Sequence, residues 1–138
     1  MKLDFSWINM TNKEYIFKDL PDDIDDSSAP WDNLVDEDYH IKVFEDKYPC
    51  TPGHLLFVPK YNTLGVLRDA VEDAVRWGRD MVDSGQWDGF NVGLNYGVAA
   101  GQTVDWPHVH LIPRRTGDVE DPVGGVRNTI PGKGNYRK

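Results

Sequence analysis

The sequence predicts an α+β domain, an antiparallel sheet with one long helix packed against it. Two observations carry this. Short apolar runs or alternations, the mark of strands, lie on both sides of the chain's midpoint, and between them the stretch from Thr63 to about Asp83 switches to a spacing of three and four. The connections are short enough to favour antiparallel neighbours, although a parallel crossover in the middle of the chain stays open on the pattern alone.

In chain order, residues 19 to 38 are crowded with Asp and Glu, interrupted by Ser27, Ser28 and Pro30, and read as solvated loop. From His40, Ile41 and Val43 alternate with polar neighbours, which suits a half-buried strand ending near Asp46. Pro49, Pro52 and Gly53 make a turn, and His54 to Val58 is a short apolar strand stopped by Pro59. In the helical stretch Leu67, Ala70, Val71, Ala74, Val75, Met81 and Val82 form one apolar stripe, weakened by Gly78 and ended at Ser84-Gly85. Phe90 to Leu94 is a further strand, Gly97 to Gly101 a small-residue loop, and Val104 to Ile112 a long final strand. The organisation expected is an acidic N-terminal extension over 1–31 and one domain over 32–138, whose tail from Gly117 is rich in Gly and Pro.

Composition narrows the function. The 138 residues suit one domain, and five Trp, six Tyr and five Phe supply burial area that the aliphatics do not. With 15 Lys plus Arg against 23 Asp plus Glu, the net charge of −8 argues against a nucleic-acid backbone as partner. A small anionic ligand needs only a few local donors and stays compatible. The single cysteine, Cys50, excludes an intramolecular disulfide or a Cys-cluster metal site and reads as a partly buried small residue. No signal-peptide pattern opens the chain and no apolar stretch approaches a membrane span, so a cytoplasmic protein without membrane contact is expected.

The informative segment runs from Ala100 to Arg114 and contains Gln102, Thr103, Trp106, Pro107, His108 and His110. On a strand, positions i and i+2 share a face, so Trp106, His108 and His110 would stand together. Free amides of the preceding Gly-rich turn would be able to receive phosphate oxygens. Three readings fit the spacing: a metal pair, with His54 as a further ligand; two structurally satisfied rings; or a nucleophile or base with its partner.

The surrounding residues resemble the histidine triad superfamily. Its signature is His-φ-His-φ-His-φ-φ, φ being apolar, after an Ala-Gly-Gln-Ser/Thr-Val stretch. Gln102, Thr103 and Val104 match the lead-in, and His108 and His110 match the second and third histidines. Phe44-Glu45-Asp46, Pro49, Pro52-Gly53-His54 and Val58-Pro59-Lys60 match an upstream block, and Asn95, seven residues before Gln102, falls where the family places a phosphate-contacting Asn. Gly117-Asp118, Asp121-Pro122, Gly124 to Arg127 and Ile130-Pro131 look like the tail of bacterial dinucleoside polyphosphate hydrolase-like members.

The resemblance implies a five-stranded antiparallel sheet with a main helix, usually paired as a homodimer, and a nucleotide hydrolase or transferase needing neither metal nor cofactor. His108 would attack the α-phosphorus and form a nucleotidyl-histidine. His110 would contact the phosphate and assist the leaving group, and His54 would support both. Phe44 would wall the base pocket, Asp46 bind ribose hydroxyls, and Asn95, Gln102 and Thr103 hold phosphate oxygens. Diadenosine polyphosphates are the first substrate expected. The departure is Trp106, which stands where the first triad histidine belongs. It keeps the main-chain carbonyl that orients the nucleophile but raises an alternative, a nucleotide-binding module with little or no catalysis. Of the other charged and aromatic residues, His40 reads as exposed and Lys60 as structural or surface. Trp77 and Trp87 read as packing. Arg114, Arg115 and Arg127 read as surface cations within reach of distal phosphates.

Overall fold

The computed structural model describes residues 14–24 and 30–138. Along the chain lie β1 (Leu34–Glu37), β2 (Ile41–Glu45), β3 (Leu55–Pro59), α1 (Leu64–Asp83), β4 (Gly89–Leu94) and β5 (Val109–Arg114). The strands form one five-stranded sheet in the order β1-β2-β3-β5-β4, with every neighbouring pair antiparallel. The expected α+β architecture is therefore present, and no parallel pair occurs among the described residues.

The apolar run of β3 is buried at every position because the sheet is covered on both sides. Leu55 and Phe57 face α1 and pack with Ile41, Val43, Val109, Leu111, Ala70, Ala74 and Trp87. Leu56 and Val58 face the other way and pack with Phe44 and Trp106, under Leu20, Ile24 and Trp31. The period of two along β3 thus feeds two cores from five residues.

Thr63 caps α1: it is extended, and its Oγ1 accepts from the Val66 amide at 3.3 Å. At the other end Gly85, with φ +80°, takes the left-handed turn that stops the helix. Its buried residues are Ala70, Ala74 and Gly78, one line at spacing four that lets the helix approach closely, flanked by Leu67, Trp77 and Met81 packed on the same core. Val71 and Val75, part of the predicted stripe, are instead exposed at its margin.

Three sequence expectations change. The acidic run read as loop contains β1, whose four residues are all exposed and whose register slips between Leu34 and Asp36. An edge strand held by its backbone ladder and the Lys60–Glu37 pair needs no apolar face, and its carboxylates discourage further pairing. The final strand begins at Val109, not Val104: Pro107 has no N–H to give a ladder, and the chain bends over residues 104–106. Third, part of the predicted extension is built onto the domain. Ile16 is buried, Tyr15 bridges to Thr63 and Asp23 to Tyr61, and Asn62, fully buried, holds Phe17 and Leu20. Residues 1–13 and 25–29 of that extension lie outside the described residues.

Among the described residues no helix is long and apolar enough to cross a membrane.

Gly78, which weakens the helix on paper, lies where α1 crosses β4. A Cβ there would stand 2.7 Å from Phe90 Cγ and Cδ1. Alanine gains about 1 kcal/mol of helix propensity over glycine, and overpacking typically costs about 1–3 kcal/mol. We expect the clash to win: Gly78→Ala should lower stability by about 1–2 kcal/mol in urea denaturation. A stabilised variant would mean that α1 does not press on Phe90.

Candidate active site

On the sheet face opposite α1, the cross-strand pair Leu56–His110 sets the His110 ring over β3, beside Gly93 of β4. His54, just before β3, reaches it: Nε2 of His54 is 2.9 Å from Nδ1 of His110. His108, just before β5, stands with its ring centroid 5.0 Å from that of His110. His108 and His110 line a cleft of about 420 Å³ with Asp46, Asn95, Thr103 and Trp31, and His54 stands behind His110.

The hydrogen bonds fix the tautomers. The Cys50 amide donates to His54 Nδ1 at 3.2 Å, so a neutral His54 carries its proton on Nε2. That proton serves His110 Nδ1 and, at 3.4 Å, Asp46 Oδ2. His110 Nδ1 therefore accepts, and its own proton sits on Nε2. His108 is set oppositely: Nδ1 donates to the Trp106 carbonyl at 2.9 Å, leaving a lone pair on Nε2. The chain thus presents one N–H and one free lone pair from adjacent rings.

Burial keeps these rings neutral. It pushes His108 down, against the Trp106 hydrogen bond and the Asp46 charge, and pushes His54 down against Asp46. His110 falls to about 4, through burial first and then the neighbouring His108 and His54. A neutral imidazole with a lone pair is a competent nucleophile at neutral pH.

Trp106 explains why His108 is held. Its side chain is fully buried and its indole N–H donates to the Pro59 carbonyl at 2.9 Å. The carbonyl that meets His108 is thereby anchored to the end of β3.

The predicted site residues divide. His54, Asp46, His108, His110, Asn95 and Thr103 converge. Phe44 lies beneath the cleft in the core, 5.9 Å from Trp31 and not on the lining. Gln102 also stays off the lining: its Oε1 accepts from the Gly97 amide at 2.8 Å and its Nε2 donates to the carbonyls of Val104 and Asp105. The amides of Gly97, Ala100, Gly101 and Gln102 all donate within the loop, so the free-amide nest expected there is largely used up. Asn95 and Thr103, at the loop's two ends, line the cleft in its place.

Trp31 is the residue sequence reasoning missed. Its ring stands 5.0 Å from that of His108 at 58°, on the cleft wall. The available signal was a large aromatic directly after Pro30 in a polar acidic run. Elsewhere, His40 is not exposed as expected but sits between Asp38 and Asp69, and Cys50 is exposed where partial burial was expected. Lys60 pairs with Glu37 at 2.6 Å, a structural role. Arg114 binds Asp118 and Asn91, Arg115 binds Thr51 and Pro52, and Arg127 binds the carbonyls of Lys133 and Gly134. These arginines brace the tail and turns.

For a metal, Asp46, His54 and His110 offer ligand atoms all within 4.8 Å of one another, a donor set suited to zinc. His108, included in the sequence-based metal reading, does not join this group of three. The same three groups already satisfy one another by hydrogen bonding.

Folding holds His110 well below its ordinary value near 6.5, so on acidification the unfolded chain takes up that proton first. In metal-free protein His110 should titrate by NMR near pH 4, and its share of stability should be lost as pH falls from about 6.5 to about 4. A midpoint near the ordinary value would contradict the buried, triply flanked ring.

A model of the HIT domain matches residues 30–117. The chain is 36% identical over 93 residues to an uncharacterized HIT-like protein of Methanocaldococcus jannaschii, covering 63% of this chain and 72% of that one. It is 33% identical to the adenosine 5'-monophosphoramidase of Saccharomyces cerevisiae (64% of this chain, 58% of that one). With the AP-4-A phosphorylase of Mycobacterium tuberculosis it shares 39% identity (51% of this chain, 40% of that one). The match thus spans less than two thirds of either named enzyme. Among solved structures, a Zn-bound histidine triad family protein of Mycobacterium smegmatis superposes with a TM-score of 0.57 at 31% identity, over 62% of this chain and 67% of that one. With the fold, the match over residues 30–117 and these relatives in agreement, the chain belongs to the HIT, or histidine triad, family.

Proposed function

We propose that this protein cleaves a nucleotide at its α-phosphorus, with His108 Nε2 as nucleophile and a nucleotidyl-histidine as intermediate. The observation that carries this reading is the hydrogen bond from His108 Nδ1 to the Trp106 carbonyl, which leaves Nε2 unprotonated on a cleft wall. As the N–P bond forms, His108 becomes positively charged, and the same carbonyl stabilises the proton on Nδ1. The bond from phosphorus to the leaving group breaks, and its electron pair leaves with that group, which is then protonated. Water attacks the phosphorus next, the N–P bond breaks, and His108 returns to its resting form with release of a nucleoside monophosphate.

Other residues take supporting roles. The Nε2–H of His110 would bond a phosphate oxygen or the departing atom. Asn95 and Thr103 would donate to non-bridging oxygens, where charge develops. Asp46 would take ribose hydroxyls as well as hold His54. The aromatic surface next to a bound base would be Trp31, since Phe44 is buried beneath it.

The relatives suggest a phosphoramidate, a diadenosine polyphosphate or an adenylyl sulfate as substrate. Between the first two, the charge of the cleft favours the phosphoramidate. Among the described residues lining it, Lys47 is the sole Lys or Arg, against Asp32, Glu45 and Asp46. A single phosphate with a neutral leaving group suits that lining, whereas several further phosphates would meet carboxylates without matching cations. This reverses the order expected from the tail. A homodimer is also part of the reading: β4 is a terminal strand of the sheet, and a second copy would lie on that side.

The test compares adenosine phosphoramidates with diadenosine polyphosphates by release of nucleoside monophosphate, for the parent and His108→Ala. We expect the phosphoramidate to give the higher kcat/KM, and the variant to lose at least about a thousandfold. Retained turnover in His108→Ala would sink the mechanism, and a preference for the polyphosphate would overturn the substrate order. Nucleotide binding with no turnover would leave a binding module.

A further inference from the structure

The segment 14–24 precedes the family-matched region, yet it reaches the loop that closes the cleft. That loop runs from Asn95 to Thr103, and both of its ends line the cleft. Inside, it is closed by Gln102 on the Gly97 amide and on the carbonyls of Val104 and Asp105. Gly97 and Gly101 have φ of +94° and +91°, a backbone that other residues rarely adopt. A loop so rich in small residues has little side-chain packing of its own to fix its position.

Its outer support comes from the N-terminal segment. Phe17 stacks on Tyr96 with centroids 4.5 Å apart and planes 16° from parallel, and the Tyr96 hydroxyl donates to the Ile16 carbonyl at 3.2 Å. Phe17 is in turn held by Asn62, whose Oδ1 accepts from the Phe17 amide at 3.0 Å and whose Nδ2 donates to the Phe17 carbonyl at 2.6 Å. Asn62 is fully buried between the end of β3 and the cap of α1, a rigid place. A continuous path therefore runs from that corner through Asn62, Phe17 and Tyr96 to Asn95 and Thr103.

From this path, and resting on the reading of the cleft given above, we infer that Phe17 and Tyr96 are positioning residues for the reaction. The N-terminal segment is a brace that holds the phosphate-facing loop at the distance the transition state needs. Neither ring touches the reacting atoms. Their effect passes through Asn95 and Thr103, whose donors must meet oxygens that move as phosphorus changes geometry. A misplacement of such donors on the order of 1 Å costs up to about a hundredfold in rate. Binding of the ground state, shared with the ribose and base contacts, depends on them less.

The experiment uses full-length Phe17→Ala, Tyr96→Ala and the conservative Phe17→Tyr, with steady-state kinetics on adenosine phosphoramidate and amide hydrogen exchange without ligand. Phe17→Ala should lower kcat about ten- to a hundredfold with KM within about threefold. Exchange at Gly97 and Gly101 should quicken at least about tenfold while Leu111 in β5 is unchanged, and Phe17→Tyr should restore both readouts. Tyr96, 59% exposed, is removable without emptying the core, so Tyr96→Ala tests the same stack should Phe17→Ala fail to fold. Parent-like kcat and exchange in either alanine variant would overturn the inference, as would a uniform loss of protection through β5. The exchange readout stands apart from the nucleotide chemistry: a braced loop in a protein that turns over nothing would fault the proposed reaction, not the brace.

Discussion

The Trp106 residue is fixed at two atoms, and most of the site follows from those two bonds. Its indole N–H meets the Pro59 carbonyl at 2.9 Å and its own carbonyl meets His108 Nδ1 at the same distance. A fully buried indole without a partner for its N–H would be costly, so the first bond is obligatory once the ring is inside. The ring is inside because Phe44, Leu56 and Val58 leave an apolar hollow on that face of the sheet. At position 106 the indole is thus a packing anchor, and it is the main-chain carbonyl that meets His108.

Charge then has to be reconciled with chemistry. An acidic protein, at −8, is an unexpected host for the phosphate ester proposed as its substrate. Yet the histidines are held neutral by burial, and Asp46 is the carboxylate nearest them, opposing the shift in each ring. Neutral rings neither attract the anion from afar nor lose their lone pairs to protons. Recognition must be short-range, through hydrogen-bond donors set at close distance, and the positions of those donors accordingly matter more than the net charge.

How much of this was legible depended on what each feature leaves in a sequence. The helix, β2, β3 and β4 were readable because burial on one or two faces imposes a period, and their ends were readable from Thr63, Pro59 and Gly85. β1 was not, because an edge strand with four exposed residues carries no period at all. His54, His108 and His110 were legible as a set through motif spacing, whereas their tautomers depended on the Cys50 amide and the Trp106 carbonyl, which no side-chain pattern encodes. Gln102 matched its motif but turned inward to hold the loop, because a loop lacking packing must be closed by its own polar groups. Trp31 and Phe17 were missed because their partners, His108 and Tyr96, are far along the chain.

The two faces of β3 explain why stability and chemistry can vary separately in this fold. Leu55 and Phe57 join the helix-side core, where the requirement is volume and close approach, as at Gly78 and Phe90. Leu56 and Val58 join the smaller core under Trp106, whose own carbonyl is directed at His108. That second core draws on Leu20 and Ile24, residues preceding the matched family region, and on Trp31 near its start. The helix-side core is thus built from residues of the matched region, whereas the opposite face is partly covered by a segment that precedes it. Trp31 and Asp32, at the start of the matched region, line the cleft beside His108 together with Glu45 and Asp46.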